Sequence, residues 1–238
     1  MITIDGSFGE GGGQMIRTSL SLAAITGTPF EISPIRPNRD KPGLRPQHLH
    51  ACLAVQQICP GELQGAESQS TRLYYQPGAI QGGAYVVNVG TAGAIVLIAQ
   101  TLIPICLFAS RKTTLHLIGG THVRKSPSFD YFEKVFLKAL QRFNVFVDST
   151  LLKPGYYPKG GGEIIIEIQP QKMNGCMNWK TTSEMSAIIR LSRIPISVAE
   201  RESKALREND VAEVTIQEDF AYSPGNAITL YQGFKGTS

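Results

Sequence analysis

The 238-residue chain carries 42% hydrophobic and 18% charged residues, the profile of a packed protein long enough for two or three compact units rather than of a disordered segment. Its net charge of +4 and pI of about 8.9 permit a polyanionic partner without demanding one. Cys52, Cys59, Cys106 and Cys176 form no CxxC pair, which argues against a zinc site or a disulfide framework and for reduced, mostly core thiols.

In chain order, a strand from Ile2 to Asp5 runs into a glycine-rich turn (Gly6, Gly9, Gly11 to Gly13). A helix to Ile25, a C-cap at Gly27 and a strand from Phe30 to Ile35 follow. No basic or apolar leader is read ahead of the first strand, so a cytoplasmic protein is expected. After a basic stretch come an amphipathic helix, Leu44 to Ile58, with Leu49, Leu53 and Ile58 on one face, and two strand-like segments, Glu62 to Ala66 and Arg72 to Gln76.

The same order then recurs. Tyr85 to Val89 is a strand leading to Gly90 and Gly93, a helix to Ala109 and a strand from Thr113 to Ile118. A further helix, Phe129 to Phe143, precedes strands at Val145 to Leu152 and Glu163 to Ile168. Shifting the chain by about 83 positions lays Arg17-Thr18 on Gln100-Thr101. The uncharged run Ala92 to Ala109 falls slightly short of the roughly 20 residues that span a bilayer and is interrupted by Gln100 and Pro104. A buried helix is expected there, and no membrane partner.

The pattern predicts an α+β fold: one βαβαββ unit over residues 1–82, a second over 83–172, and part of a smaller α+β domain over 173–238. In that last part Ser186 to Leu191 reads as a strand and Val198 to Arg207 as a charged helix. Ala212 to Ile216 and Ala227 to Tyr231 read as a half-exposed hairpin.

Three groups of residues could carry chemistry. Gly9-Glu10-Gly11-Gly12-Gly13-Gln14 lies between a strand and a helix, where consecutive glycines let backbone N–H groups approach an anion at a helix N-terminus. Glu10 would repel a phosphate there unless a divalent cation lay between them; a flexible turn with an exposed acid is the alternative. Arg17 faces that loop, and Arg36, Arg39, Lys41 and Arg45 crowd the next connection with Asp40 as the local acid, an array suited to phosphate or simply a solvated basic surface. Gln100 is a lone polar residue in an apolar helix, where it must meet either a structural partner or a ligand. Gln47 and His48 open the second helix, and neither His48 nor His50, His116 or His122 stands out as a base. The run Gly155-Tyr156-Tyr157-Pro158-Lys159-Gly160-Gly161-Gly162-Glu163 is sufficiently explained as a wide turn between two strands.

Taken in order, Asp5-Gly6 through Gln14 with Arg17, Ile35-Arg36 to Arg39 with Lys41-Pro42-Gly43-Leu44 and Gln47-His48-Leu49, and Gly155 to Gly162 resemble the RNA 3'-terminal phosphate cyclase family across essentially the whole chain. The resemblance implies repeated βαβαββ units like those of the enolpyruvyl transferases, with a small inserted domain in a third unit that is absent here. It implies an ATP-dependent enzyme that closes an RNA 3'-phosphate into a 2',3'-cyclic phosphodiester. A histidine attacks ATP to give a histidine–AMP adduct, AMP passes to the RNA 3'-phosphate, and the 2'-hydroxyl displaces it.

By the same resemblance Glu10 holds a divalent metal, magnesium or manganese. Arg17, Arg36 and Arg39 hold phosphates, Gln47 supports that pocket, and Gln100 and Pro127 contact AMP. The histidine nucleophile of the family lies beyond the inserted domain, so these 238 residues are expected to be inactive alone. Two other readings compete: a non-catalytic cyclase-like protein that binds RNA in ribosome assembly, and an enolpyruvyl transferase. The first is disfavoured by the presence of Glu10 and Arg17, the second by the two glycine-rich runs.

Overall fold

The computed structural model describes residues 1–175 and 181–234. Cys176 lies outside them; Cys52, Cys59 and Cys106 are buried free thiols, and burial pushes the Cys52 and Cys106 thiols up to about 12. The chain is α+β and divides into two compact units, 1–89 with 97–117 and 166–171, and 90–96 with 118–165 and 172–238.

In the first unit, β1 (Ile2–Asp5) pairs in parallel with β2 (Phe30–Ser33), in register Ile2 to Phe30. The crossover between them is α1 (Gly13–Thr26), the connection that a parallel pair requires. After α2 (Pro46–Ile58), β3 (Glu62–Gln64) and β4 (Leu73–Gln76) form an antiparallel pair, and β4 inserts next to β2, giving the order β1-β2-β4-β3. Phe30 and Ile32 on β2 and Leu73 and Tyr75 on β4 alternate inward, joined by Ile16, Leu20, Ala23 and Ala24 of α1 and by Ala51, Cys52, Val55 and Ile58 of α2. The Tyr75 hydroxyl, buried with its ring, donates to the Cys59 carbonyl at 2.6 Å and so avoids the cost of an unpaired polar group. Leu53 faces outward; the buried stripe of α2 is made instead by small residues and His48, which carry little hydrophobic signal.

A second four-stranded sheet has the order β5-β6-β8-β7, from β5 (Ala84–Asn88), β6 (Thr113–Gly119), β7 (Val147–Lys153) and β8 (Gly162–Ile168). Between β5 and β6 lies α3 (Ile95–Cys106), buried along almost its whole length except at Gln100 and Pro104, as expected for a helix that is apolar on every side. Among the described residues no helix is long and apolar enough to cross a membrane. Between β6 and β7 the helical stretch is a short α4 (Phe129–Tyr131), a π-helical turn (Phe132–Leu137) and α5 (Lys138–Gln141).

The last sheet corrects the expectation of a hairpin. Its order is β10-β9-β11, with β9 (Thr181–Ser192) in the centre, β10 (Val211–Glu218) parallel to it and β11 (Gly225–Phe234) antiparallel. The helix α6 (Ile196–Glu208) carries the chain from β9 across to a parallel neighbour, which leaves the other edge of β9 to β11. Alternating hydrophobicity reports which face of a strand is buried, not which strand lies beside it. Ala187, Ile189, Leu191, Val211 and Val214 pack with Ala199 of α6 as a small core.

Candidate functional site

The glycine-rich connection from β1 to α1 is held from both ends. Asp5 accepts the Ser7 N–H and hydroxyl at 2.9 and 2.6 Å, closing a tight turn. Gly11 sits at φ +54°, and a Cβ there would come within 3.1 Å of the Gly6 carbonyl. Helix α1 begins after Gly12 with no side-chain cap and no acidic residue in its first turn, so the positive end of its dipole is uncompensated by the protein.

Cationic side chains gather around that helix end. Arg39 places Nη2 3.6 Å from where a Cβ on Gly12 would lie and donates to Glu10 at 2.8 Å, in an ion pair whose acid is 86% exposed. Arg17, only 8% exposed, donates to the Gln14 side-chain oxygen at 2.7 Å. Among the described residues it has no carboxylate partner, and burial lowers its pKa. Arg36 spends Nη1 on the carbonyls of Lys41 and Gly43, at 3.0 and 2.8 Å, and so organises the loop that carries Arg39. Burial, then the charges of Arg39 and Arg45, lower its pKa.

His48 ties these pieces together. Its ring lies so close to the start of α1 that any side chain at Gly13 would collide with it. Its Nδ1 accepts the Arg45 N–H at 3.2 Å. The proton of the neutral ring therefore sits on Nε2, 3.3 Å from the Gln47 amide, and the atom of Gln47 facing it must be the oxygen. Burial, then the positive charges of Arg36, Arg17 and Arg45, push the imidazole down to about 3, so it stays neutral at any physiological pH.

Gln100 belongs to the same unit. With Gln14, Arg17, Thr18, Thr101 and Pro104 it lines a cavity of about 220 Å³, and the Ser21 hydroxyl donates to the Thr101 carbonyl at 2.8 Å across the α1–α3 contact. Glu10, Arg17, Arg36, Arg39, Gln47 and Gln100 are thus all held on the first unit, linked through Gly12, Gly13, His48 and this cavity. Pro127 belongs to the second unit, where it lines a separate cavity of about 420 Å³ with His122, Arg124, Ser128 and Tyr131.

Sequence reasoning passed over a network in the second unit. Arg190 of β9 donates from Nε to Asp130 and from Nη1 to Asp219, both at 2.9 Å. Tyr156 Oη donates to Asp219 at 3.3 Å, and His122 Nε2 lies 2.9 Å from Asp130. Thr121 Oγ1 accepts the Gly155 N–H at 2.8 Å and meets His122 Nδ1 at 2.7 Å. Burial by itself would raise the Asp130 carboxyl, but the His122 hydrogen bond and the Arg190 charge outweigh it and hold it below the usual carboxylate range. The available signal was Arg190 as the one charge in the strand-like run Ser186 to Leu191.

The fold and the cluster describe an α+β protein whose first unit concentrates cations at a glycine-rich turn. A family model for RNA 3'-terminal phosphate cyclase matches residues 8–218. Three relatives bearing that enzyme's name are similar at full-chain scale. The Archaeoglobus fulgidus protein is 40% identical over 243 positions, spanning 100% of this chain and 74% of the relative. The Pyrobaculum aerophilum protein is 38% identical, over 97% and 69%, and the Pyrococcus furiosus protein 39% identical, over 97% and 70%. The chain belongs to the RNA 3'-terminal phosphate cyclase family.

Proposed function

We propose that the first-unit cluster binds the terminal phosphate of RNA and the phosphates of ATP, for the reaction RNA 3'-phosphate plus ATP giving RNA 2',3'-cyclic phosphodiester, AMP and pyrophosphate. The observation that carries this reading is Arg17: a guanidinium buried to 8% exposure beside an uncapped helix N-terminus, without a carboxylate among the described residues, is stabilised when an anion arrives.

In the proposed sequence a histidine nitrogen attacks the α-phosphorus and pyrophosphate leaves. The RNA 3'-phosphate oxygen then takes the AMP and frees the histidine. The 2'-hydroxyl oxygen finally attacks the activated 3'-phosphorus, losing its proton as AMP departs. Activation is needed because a phosphate monoester lacks a good leaving group. Arg17 and Arg39 hold phosphate oxygens, Arg36 fixes the Arg39 loop, Gln47 and Gln100 donate amide hydrogens, and neutral His48 keeps Gln47 in one orientation. Neither His48 nor His122 is proposed as the nucleophile, since both are buried with both ring nitrogens engaged.

In this reading Glu10, whose exposed carboxylate is paired with Arg39, would hold a divalent cation, magnesium or manganese, which would supply charge neutralisation beside phosphate. The equal strand orders of the two four-stranded sheets, and the offset pairs Arg17-Thr18 and Gln100-Thr101 lining one cavity, support reading them as two copies of one enolpyruvyl-transferase-like βαβαββ module.

The test is binding of oligoribonucleotides ending in 3'-phosphate and in 3'-hydroxyl, by fluorescence anisotropy. The expected result is preference for the phosphate, lost by at least about tenfold in Arg17→Ala and in Arg39→Ala. Equal affinity of the unaltered chain for both ends would overturn the reading.

A further inference from the structure

The run Gly155 to Glu163 has no role in the site above, yet it borders the most exposed aromatic surface of the second unit. Phe220 is 81% exposed, Tyr157 76% and Tyr222 53%. Apolar rings so exposed usually sit on loose chain, but here the backbone is fixed. The Asp219 N–H donates to the Leu191 carbonyl at 2.7 Å, the Ala221 N–H to the Ser192 hydroxyl at 2.9 Å, and the Lys159 N–H to the Ser223 hydroxyl at 3.2 Å. Arg193 Nε donates to the Ala221 carbonyl at 2.8 Å.

Ala221 and Ser223 are buried at 1% exposure, so the alternation along the loop turns Phe220 and Tyr222 outward together. Gly161 lies against the Tyr222 ring with no room for a side chain. The glycine-rich turn and the 219–223 loop therefore form one surface, on which Tyr157 also stands.

Cations accompany the rings. The Lys153 ammonium lies 3.3 Å from the centre of the Tyr222 ring and the Arg193 guanidinium 5.5 Å from that of Phe220, and Lys159 is exposed on the same turn. The nearest acid of the loop, Asp219, is turned inward onto Arg190; Glu218 is the exposed exception. Fixed, outward aromatic faces interleaved with cations suit unpaired bases joined by phosphates. A protein partner would more often meet a larger continuous apolar patch.

We infer that Tyr157, Phe220 and Tyr222, with Lys153, Lys159 and Arg193, bind single-stranded RNA by stacking bases on the rings and pairing phosphates with the cations. The ligand class rests on the function proposed above, and this surface takes unpaired strand independently of the 3'-terminal phosphate.

The experiment measures a fluorescent single-stranded oligoribonucleotide with a 3'-phosphate, its 3'-hydroxyl twin, the corresponding duplex and a competing nucleoside 3'-phosphate. Each is bound to the unaltered chain, to Phe220→Ala/Tyr222→Ala and to Lys153→Gln. Both rings are exposed, so the fold should survive, with circular dichroism as the check. The double variant is expected to lose on the order of tenfold in affinity per ring for the single strand, with competition by the nucleoside 3'-phosphate unchanged. Lys153→Gln should lower the salt slope by about 0.7.

Undiminished single-strand binding by the double variant overturns the inference, as does duplex binding of equal strength. So does a loss confined to vesicles of phosphatidylserine and phosphatidylcholine, which would make the surface a lipid contact. Ring dependence without 3'-phosphate preference keeps this inference and sinks the phosphate site; phosphate preference without ring dependence does the reverse.

Discussion

Two regions of the molecule hold arginines away from water and treat them oppositely. In the second unit Arg190 lies between Asp130 and Asp219, inside a closed hydrogen-bond network. Gly155 N–H gives to Thr121, Arg190 gives to both carboxylates and Tyr156 to Asp219, and the His122 ring bridges Thr121 Oγ1 and Asp130. In the first unit Arg17, Arg36 and Arg45 surround a histidine that cannot accept a charge, and the acid present, Glu10, is engaged by Arg39. A self-neutralised network is finished as it stands, whereas a buried arginine such as Arg17, with no carboxylate partner among the described residues, is finished by a ligand.

The sharpest way to break the contrast is to remove one arginine from each region without adding a charge. Arg190→Met leaves buried Asp130 and half-buried Asp219 without their shared cation and should cost about 3–5 kcal/mol, read as a lower urea midpoint. Arg17→Met removes a buried cation that has no acid partner among the described residues and should leave the midpoint unchanged or higher. If Arg17→Met lost as much stability as Arg190→Met, the first cluster would be structural and the distinction would disappear.

Acid separates the regions next. The folded pKa of His48 is pushed from 6.5 to about 3, so between those values the unfolded chain binds a proton that the folded chain refuses. Stability is then fully present above about pH 6.5 and falls with decreasing pH by at most about 1.4 kcal/mol per unit. The Asp130 carboxyl is also depressed, but its contribution is lost only below the unfolded value of about 4. Urea midpoints at pH 7 and pH 5 should therefore differ for the unaltered chain and come closer in His48→Gln, with the remainder from His50, which burial also lowers. An unchanged difference in the variant would mean that another group titrates.

How much of this was legible in the sequence depends on range. The strands and helices of the two four-stranded sheets follow local periodicity. Glu10 and Arg17 stood out beside a glycine-rich turn, and Arg36 and Arg39 as a basic cluster in the next connection. Gln100 stood out as the lone polar residue of an apolar helix, and the repeat that lays it on Arg17 pointed it toward a ligand. The Arg190 network was not found, since its members come from positions 121 to 219 and no local pattern joins an acid on α4 to a strand sixty residues later. The π-helical turn and the placement of β11 beside β9 were hidden for the same reason: both are settled by packing rather than by spacing.

The smallest expected effect concerns Glu10, where the two regions come closest in kind. Its ion pair with Arg39 is largely exposed, so solvent screening leaves it little weight and Glu10→Gln should not measurably change the urea midpoint. Its role appears on binding. Without divalent cation the pair competes with phosphate for Arg39, and releasing Arg39 should tighten binding of a 3'-phosphate oligoribonucleotide by about two- to fivefold. If Glu10 holds magnesium beside the phosphate as proposed, the variant should lose whatever increment magnesium adds. Anisotropy titrations in EDTA and in magnesium, for the unaltered chain and for Glu10→Gln, measure both terms. A magnesium increment of equal size in the two proteins would show that Glu10 merely restrains Arg39, and the first cluster would then be a phosphate site without a metal.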